Sequence, residues 1–268
     1  MTHFYVHGYS AREAERLSDQ AGTLTHIIHH DSFFPPKSRI LEAGCGTGAQ
    51  TCILAKQNPS CEFISIDISR ESLAAAKKRI DEAGLCNVRL YLADILTGDL
   101  PLGLFDHAIF CFVLEHLKNP NEAVQRVKNL VRPGGTVTAI EGDHGSVCFH
   151  PETEKALMVI ECQVILQKRA GGDACIGRKL YPLLTSSGLS DVTVSPRLVY
   201  ADAGRPDLVS GFTEKTFIAM IQGVREQAVA AGLMSADDFD EGIRELSCST
   251  RKDGTFSYTF YKGWGFVP

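Results

Sequence analysis

The 268-residue sequence predicts an α/β fold: a mostly parallel sheet with helices on both faces and a helical lid. Three observations carry that expectation. Short apolar runs of strand length alternate with segments of helical periodicity between Arg39 and Glu141. A glycine-rich turn joins the first of those runs to the helix that follows it. Beyond Gly145 the alternation gives way to more helices than a minimal sheet requires.

The elements follow in order. From Ala11, the residues Ala14, Leu17, Ala21, Leu24 and Ile28 recur at helical spacing, with Ser10 placed to cap and Phe33-Phe34-Pro35-Pro36 as the stop. Strands are expected at Arg39–Glu42, Glu62–Asp67, Val88–Ala93, Asp106–Phe112 and Thr136–Glu141, the last entered through the turn Arg132-Pro133-Gly134-Gly135. Helices are expected between them at Ala49–Gln57, Arg70–Ala83 and Asn121–Val131; in the second, Leu73, Ala76, Ile80 and Ala83 share one face before Gly84. Strands joined through helices imply right-handed crossovers and a parallel sheet, whose ligands bind beyond the carboxyl ends of the strands. After Gly145, Pro151–Ala170, Lys179–Ser187, Asp207–Ala230 and Ala236–Leu246 read as helices and Val192–Tyr200 as a strand. Gly254–Tyr261 closes the pattern with Phe256, Tyr258 and Phe260 in strict alternation, a half-buried strand. The expected division is an N-terminal helical segment 1–36, a core 37–145, and a C-terminal part 146–268 with the lid and last strands.

Composition narrows the classes of function. With 44% hydrophobic and 22% charged residues the chain is neither disordered nor collagen-like. Lys and Arg number 27 against 32 Asp and Glu, a net charge of −5 with no basic run, which argues against nucleic acid as the main partner. The nine cysteines are scattered, with no Cys-x-x-Cys pair, the usage expected of reduced thiols in the cytoplasm. No window reaches membrane-spanning length, and the N-terminus lacks an export signal, so a soluble monomer or homodimer is expected.

The chemistry centres on Glu42-Ala43-Gly44-Cys45-Gly46-Thr47-Gly48, between the first strand and its helix. Glycine at 44, 46 and 48 permits a tight turn and lets a ligand lie against bare backbone at a helix N-terminus. The spacing is not the dinucleotide pattern, since position 49 is Ala, and no Gly-Lys-Ser/Thr follows to form a phosphate loop. Glu42 repels phosphate and attracts a cationic ligand, an amine or a sulfonium.

These residues resemble the first motif of the class I S-adenosylmethionine-dependent methyltransferases, acidic-x-Gly-x-Gly-x-Gly, and the ends of the next three strands continue the resemblance. It implies a Rossmann-like seven-stranded sheet and S-adenosylmethionine as cofactor, held at Gly44, Cys45 and Gly46 with Glu42 adjacent. Asp67 would accept the ribose hydroxyls with Ile68 beside it, and Asp94 the adenine amino group with Ile95 on the ring. The Cys111 carbonyl would meet the ligand's ammonium, with Phe112 next to it. Related enzymes fold the N-terminal segment over the cofactor, which makes Tyr9, with Tyr5, Arg12 and Gln20, candidates for closing the methionine end. Cys45 reads as a space-filler, because methyl transfer needs no covalent enzyme intermediate.

The implied reaction is in-line attack by an acceptor lone pair on the sulfonium methyl, accelerated by orientation and exclusion of water. The acceptor is expected to be an oxygen or nitrogen of a small organic molecule. His144, oriented by Asp143 or Glu141, and His116 are the candidate bases. Gly142 to Ser146 read as an open loop after the fifth strand, with room for the acceptor. Phe149, Phe212, Phe217, Met220, Trp264 and Phe266 are candidates to line the acceptor pocket, and Arg178 to pair an acidic substrate. His26, His29 and His30 stand at i, i+3, i+4, but no metal is expected, since this transfer requires none. The alternative is a regulatory methyltransferase-like protein acting through partners, suggested by Glu13-x-x-Arg16-Leu17-x-x-Gln20.

Overall fold

The computed structural model describes residues 22–97 and 103–268. Residues 22–28 are helical (α1), and the strands and helices alternate from there: β1 (Arg39–Ala43), α2 (Ala49–Gln57), β2 (Glu62–Asp67), α3 (Arg70–Glu82), β3 (Val88–Leu92), β4 (Phe105–Cys111), α4 (Pro120–Lys128) and β5 (Val131–His150). The remaining elements are α5 (Glu154–Arg169), α6 (Leu180–Ser186), β6 (Ser190–Ala201), α7 (Pro206–Leu208), a π-helix (Val209–Ile218), α8 (Ala219–Gly223), α9 (Arg225–Ala230), α10 (Ala236–Leu246) and β7 (Thr255–Phe266).

The sheet has seven strands in the order β3-β2-β1-β4-β5-β7-β6. The first five run parallel, with Ile40 beside Phe63 and His107, and Phe110 beside Ala139. β7 runs antiparallel to its neighbours. Residues early in β5 meet its end, Gly134 N–H donating to the Val267 carbonyl at 2.8 Å, and Val192 and Val194 of β6 lie against Gly265 and Gly263 in turn. From β1 the chain goes outward to β2 and β3, then returns to the other side of β1 at β4. This reversal separates the loops after β1 and β4, the place where such sheets bind ligands.

The chain forms two compact units. One comprises Ile28–Glu141, Ile176–Pro196 and Tyr261–Pro268, with a core that includes Leu41, Ile64, Ile66, Phe105, Phe110, Val137, Leu180 and Leu184. Its α3 begins at Ser69, whose hydroxyl accepts the Ser72 N–H, and buries Ser72, Ala76 and Ile80, one helical stripe. The other comprises the described residues through Ile27, Gly142–Cys175 and Arg197–Phe260. In it Thr153 caps α5, and the Thr153 hydroxyl also donates to Glu245 of α10 at 2.7 Å. Phe212 and Phe217 of the π-helix pack edge-on or tilted against Phe256 and Tyr258. β5, β6 and β7 each contribute residues to both units.

Four expectations need correction. The fifth strand does not run from Thr136 to Glu141 but from Val131 to His150. Arg132-Pro133-Gly134-Gly135 is not a turn before it, because Gly134 and Gly135 pair with Val267. Residues 142–146 are not an open loop either: they continue the strand, Asp143 and His144 are buried, and the Ser146 hydroxyl accepts the Thr259 N–H at 2.9 Å. The expected helix Asp207–Ala230 is broken into four pieces. Thr216 donates its hydroxyl to the Gly211 carbonyl five residues back, within the wider π-turn. Among the described residues no helix is long and apolar enough to cross a membrane.

Candidate functional site

The turn after β1 is built from three glycines with left-handed backbone, and they serve different ends. A Cβ on Gly44 would stand 2.7 Å from Val113, and one on Gly48 3.0 Å from Ala76, so both are glycine because other atoms occupy the space. A Cβ on Gly46 would meet nothing within 4 Å. At Gly46 the backbone is bare toward open space, as a cradle for a ligand must be. The Gly44 and Cys45 N–H groups hold the turn to the Ile66 carbonyl at the end of β2, at 2.8 and 2.9 Å.

Asp67 ends β2 against this turn. Its Oδ2 accepts the Gly46 N–H at 2.7 Å and its Oδ1 the Ser69 N–H at 2.9 Å. Burial pushes its carboxyl above the usual aspartate value, opposed by these N–H donors. Ile68, the next residue, leaves 46% of its surface exposed, an apolar face beside the carboxylate. Thr47 adds a second sign of an absent partner: its Oγ1 is buried with no hydrogen-bond partner. It stands immediately before Gly48, the N-cap of α2, where no side chain caps the helix.

Glu42 is fully buried under the turn, and its Oε2 accepts hydroxyls from Thr51 at 2.7 Å and Ser65 at 2.6 Å. Burial raises its carboxyl as well. Cys45 is buried, and desolvation with the nearby Glu42 and Asp67 charges keeps its thiol protonated. At the end of β4, Cys111 is buried and Phe112 takes a left-handed φ of 57°, unusual for a bulky residue, while its N–H donates to the Ile140 carbonyl. Asp94 is turned on its own loop, accepting the Leu96 N–H at 2.8 Å and the Thr97 hydroxyl at 2.9 Å, and Ile95 packs against the core. Tyr9, with Tyr5, Arg12 and Gln20, lies outside the described residues.

The three candidate catalytic residues divide. Glu141 is fully buried and accepts the N–H groups of Val113 at 3.1 Å and Leu114 at 2.8 Å, capping the short 3-10 turn Leu114–His116. Its carboxylate therefore serves the turn after β4. His116 stands in that turn, its Nε2 3.6 Å from the Glu115 carboxylate. In the other unit, His144 places Nδ1 3.1 Å from the Ala174 carbonyl and 3.1 Å from the Tyr258 hydroxyl. Among the described residues no cluster of His, Cys, Asp or Glu could hold a metal ion.

Burial pushes the Glu141 carboxyl well above its ordinary value of 4.5, and Glu115 adds to the effect. The folded state thus binds this proton more tightly than the unfolded chain, so the contribution of Glu141 is fully present below about pH 4.5 and is lost as pH rises through the folded value. A Glu141→Gln variant, which keeps an acceptor for Val113 and Leu114, should show a flatter fall of stability with pH. Urea melts between acidic and alkaline pH measure that slope; an unchanged slope would refute the assignment.

The residues that sequence reasoning missed are Thr47, Thr51, Ser65 and Tyr258. Ser65 had a signal, a lone hydroxyl between Ile64 and Ile66 in a buried strand. Thr51 had none, since its partner Glu42 is reached only by folding the helix back on the strand.

A family model described as a methyltransferase domain matches residues 35–188, more than half of the chain. An uncharacterized 37.1 kDa protein of a Streptomyces fradiae transposon is 32% identical over 75% of this chain and 55% of its own length. An uncharacterized methyltransferase of Schizosaccharomyces pombe is 29% identical over 53% of each. The chain thus spans about half the length of these curated relatives. Among solved structures, phosphoethanolamine N-methyltransferase 2 of Haemonchus contortus, in complex with phosphomonomethylethanolamine and S-adenosylhomocysteine, aligns with a TM-score of 0.57 at 14% identity, over 99% of this chain and 60% of that one. The YcgJ protein of Bacillus subtilis aligns with a TM-score of 0.56 at 14% identity, over 94% of this chain and 98% of that one. The seven-stranded sheet, the glycine turn with Asp67 on its N–H, and the family match agree: this chain belongs to the class I S-adenosylmethionine-dependent methyltransferases.

Proposed function

We propose that the protein transfers a methyl group from S-adenosylmethionine to an oxygen or nitrogen of a small organic acceptor. The observation that carries the reading is the open cradle at Gly46 with Asp67 fastened to it. Gly46, Thr47, Asp67, Ile68 and Phe112 would hold the cofactor, with Glu42 supporting the turn from beneath. When bound, the cofactor supplies an electrophilic methyl group on a sulfonium sulfur. The N-terminal segment 1–36, with Tyr9, is read as closing over it. A Tyr9→Ala variant should weaken binding of S-adenosylhomocysteine, and unchanged affinity would remove Tyr9 from the site.

His144 is the proposed base. The Ala174 oxygen can only accept, so Nδ1 carries the proton and Nε2 presents the lone pair. Tyr258 holds the ring from its other neighbour strand position, with ring centroids 5.7 Å apart. The net charge of −5 with no basic run supports a small acceptor over a nucleic acid. Glu141 is read as positioning the turn after β4, and His116 as a weaker base candidate within it.

The test is release of S-adenosylhomocysteine against a panel of phenols, alcohols, amines and carboxylic acids. Turnover on one class is expected, with His144→Ala lowering kcat about 100-fold or more for a hydroxyl acceptor while leaving cofactor affinity unchanged. Tight cofactor binding without turnover on any class would refute the enzyme reading and favour a regulator acting through partners.

A further inference from the structure

In the unit that carries the glycine turn, five polar side chains form a continuous chain. His29 and Ser32 are buried just after α1, Asp31 lies between them in sequence, Gln50 is in the first turn of α2, and Lys262 is buried on β7. Lys262 Nζ donates to Asp31 Oδ1 at 2.7 Å and to Ser32 Oγ at 2.9 Å. Ser32 Oγ lies 3.1 Å from His29 Nδ1, and His29 Nε2 lies 2.7 Å from Gln50 Oε1.

With the Gln50 amide oxygen facing His29, the following arrangement of protons satisfies every contact in this chain. An amide oxygen only accepts, so His29 Nε2 carries a proton and donates it to Gln50. An ammonium only donates, so Lys262 fills a lone pair of Ser32 and sends the Ser32 proton to the bare Nδ1 of His29. The arrangement pairs the Nε2–H tautomer of His29 with a Gln50 amide whose oxygen faces His29 and whose NH2 is turned away. Gln50 is the second residue of α2, in the turn whose N-terminus is uncapped and next to the partnerless Thr47 hydroxyl. Lys262 is also close enough to Cys111, at the end of β4, for its charge to act on that thiol. Burying an ammonium is costly, and an apolar residue in its place is often as stabilising, so the pair is better explained by orientation than by stability.

We propose that Ser32 and Lys262 are positioning residues for the cofactor site: through His29 they lock the Gln50 amide, so that its NH2 is a fixed donor at the N-terminus of α2. This rests on the reading of the glycine turn as a cofactor site, and concerns contacts between residues 3 to 231 positions apart that no sequence motif joins.

The test uses the full chain, isothermal titration with S-adenosylhomocysteine, and nitrogen NMR of labelled histidine. The wild type should bind, with His29 protonated at Nε2. Ser32→Ala and Lys262→Met should weaken binding about tenfold, the worth of one hydrogen bond to a charged group, and Ser32→Thr should restore it. Gln50→Glu still accepts from His29 but has no NH2 to give, so it should lose at least as much. Wild-type affinity in Ser32→Ala and Gln50→Glu, or a His29 protonated at Nδ1 alone, overturns the inference. Since the tautomer is read without ligand, a variant that fails to fold leaves that measurement decisive. A wild type that does not bind at all, yet shows the Nε2–H tautomer, overturns the cofactor reading and the role built on it.

Discussion

An Asp67→Ala variant should lose about 100-fold or more in affinity for S-adenosylhomocysteine, the equivalent of roughly 3 kcal/mol. Two losses combine. The Gly46 N–H, 2.7 Å from Asp67 Oδ2, is left without its acceptor, and the carboxylate proposed to take the ribose hydroxyls is gone. Asp67→Asn should fail nearly as badly, since an amide has one oxygen for the Gly46 and Ser69 donors and turns an NH2 toward the other. Fold stability should change far less than affinity, because burial already disfavours the charged form of Asp67. The same shift has a sign for binding. The carboxyl is raised above 3.8, so acidification protonates it sooner than an ordinary aspartate, and affinity should start to fall at a correspondingly higher pH. Titration calorimetry of Asp67→Ala at neutral pH is the direct check, and wild-type affinity would remove Asp67 from the site.

Gly44→Ala and Gly46→Ala should fail in opposite ways. Both positions have positive φ, +77° and +52°, so either alanine carries a conformational cost of about 1–2 kcal/mol. At Gly44 the new methyl would also stand 2.7 and 2.9 Å from the two methyls of Val113, and overpacking adds about 1–3 kcal/mol. Gly44→Ala should therefore be a folding mutant, with a large drop in the urea midpoint. At Gly46 the methyl enters open space, so the protein should stay folded with only the conformational cost, but the cradle is filled and affinity for S-adenosylhomocysteine should fall at least tenfold. Equal affinity in Gly46→Ala and wild type would mean that no ligand lies against that backbone.

What could be read in advance was what short stretches of chain decide. The helices Ala49–Gln57 and Ala236–Leu246 and the strand Glu62–Asp67 have the bounds that their own residues predict, because periodicity and terminal residues act within a few positions. The turn Gly44–Gly48 and the carboxylates Glu42 and Asp67 were legible for the same reason: glycine at left-handed positions and acids at strand ends are local requirements. The length of β5 was not, since Gly134 and Gly135 become strand only by pairing with Val267, more than 130 positions away. The π-helix was hidden in a segment whose spacing fits an ordinary helix.

The site divides along the same line. Sequence alone determined the family, the cofactor turn and the acids beside it. Only the tertiary structure decided that Glu42 is held by Thr51 and Ser65, that Glu141 caps the turn after β4, that His144 is paired with Ala174 and Tyr258, and that His29 joins Gln50 to Lys262. Each of these is a buried polar group, and a buried polar group must find its partner wherever the folded chain provides one. That choice depends on distance in space, for which distance along the sequence is no guide.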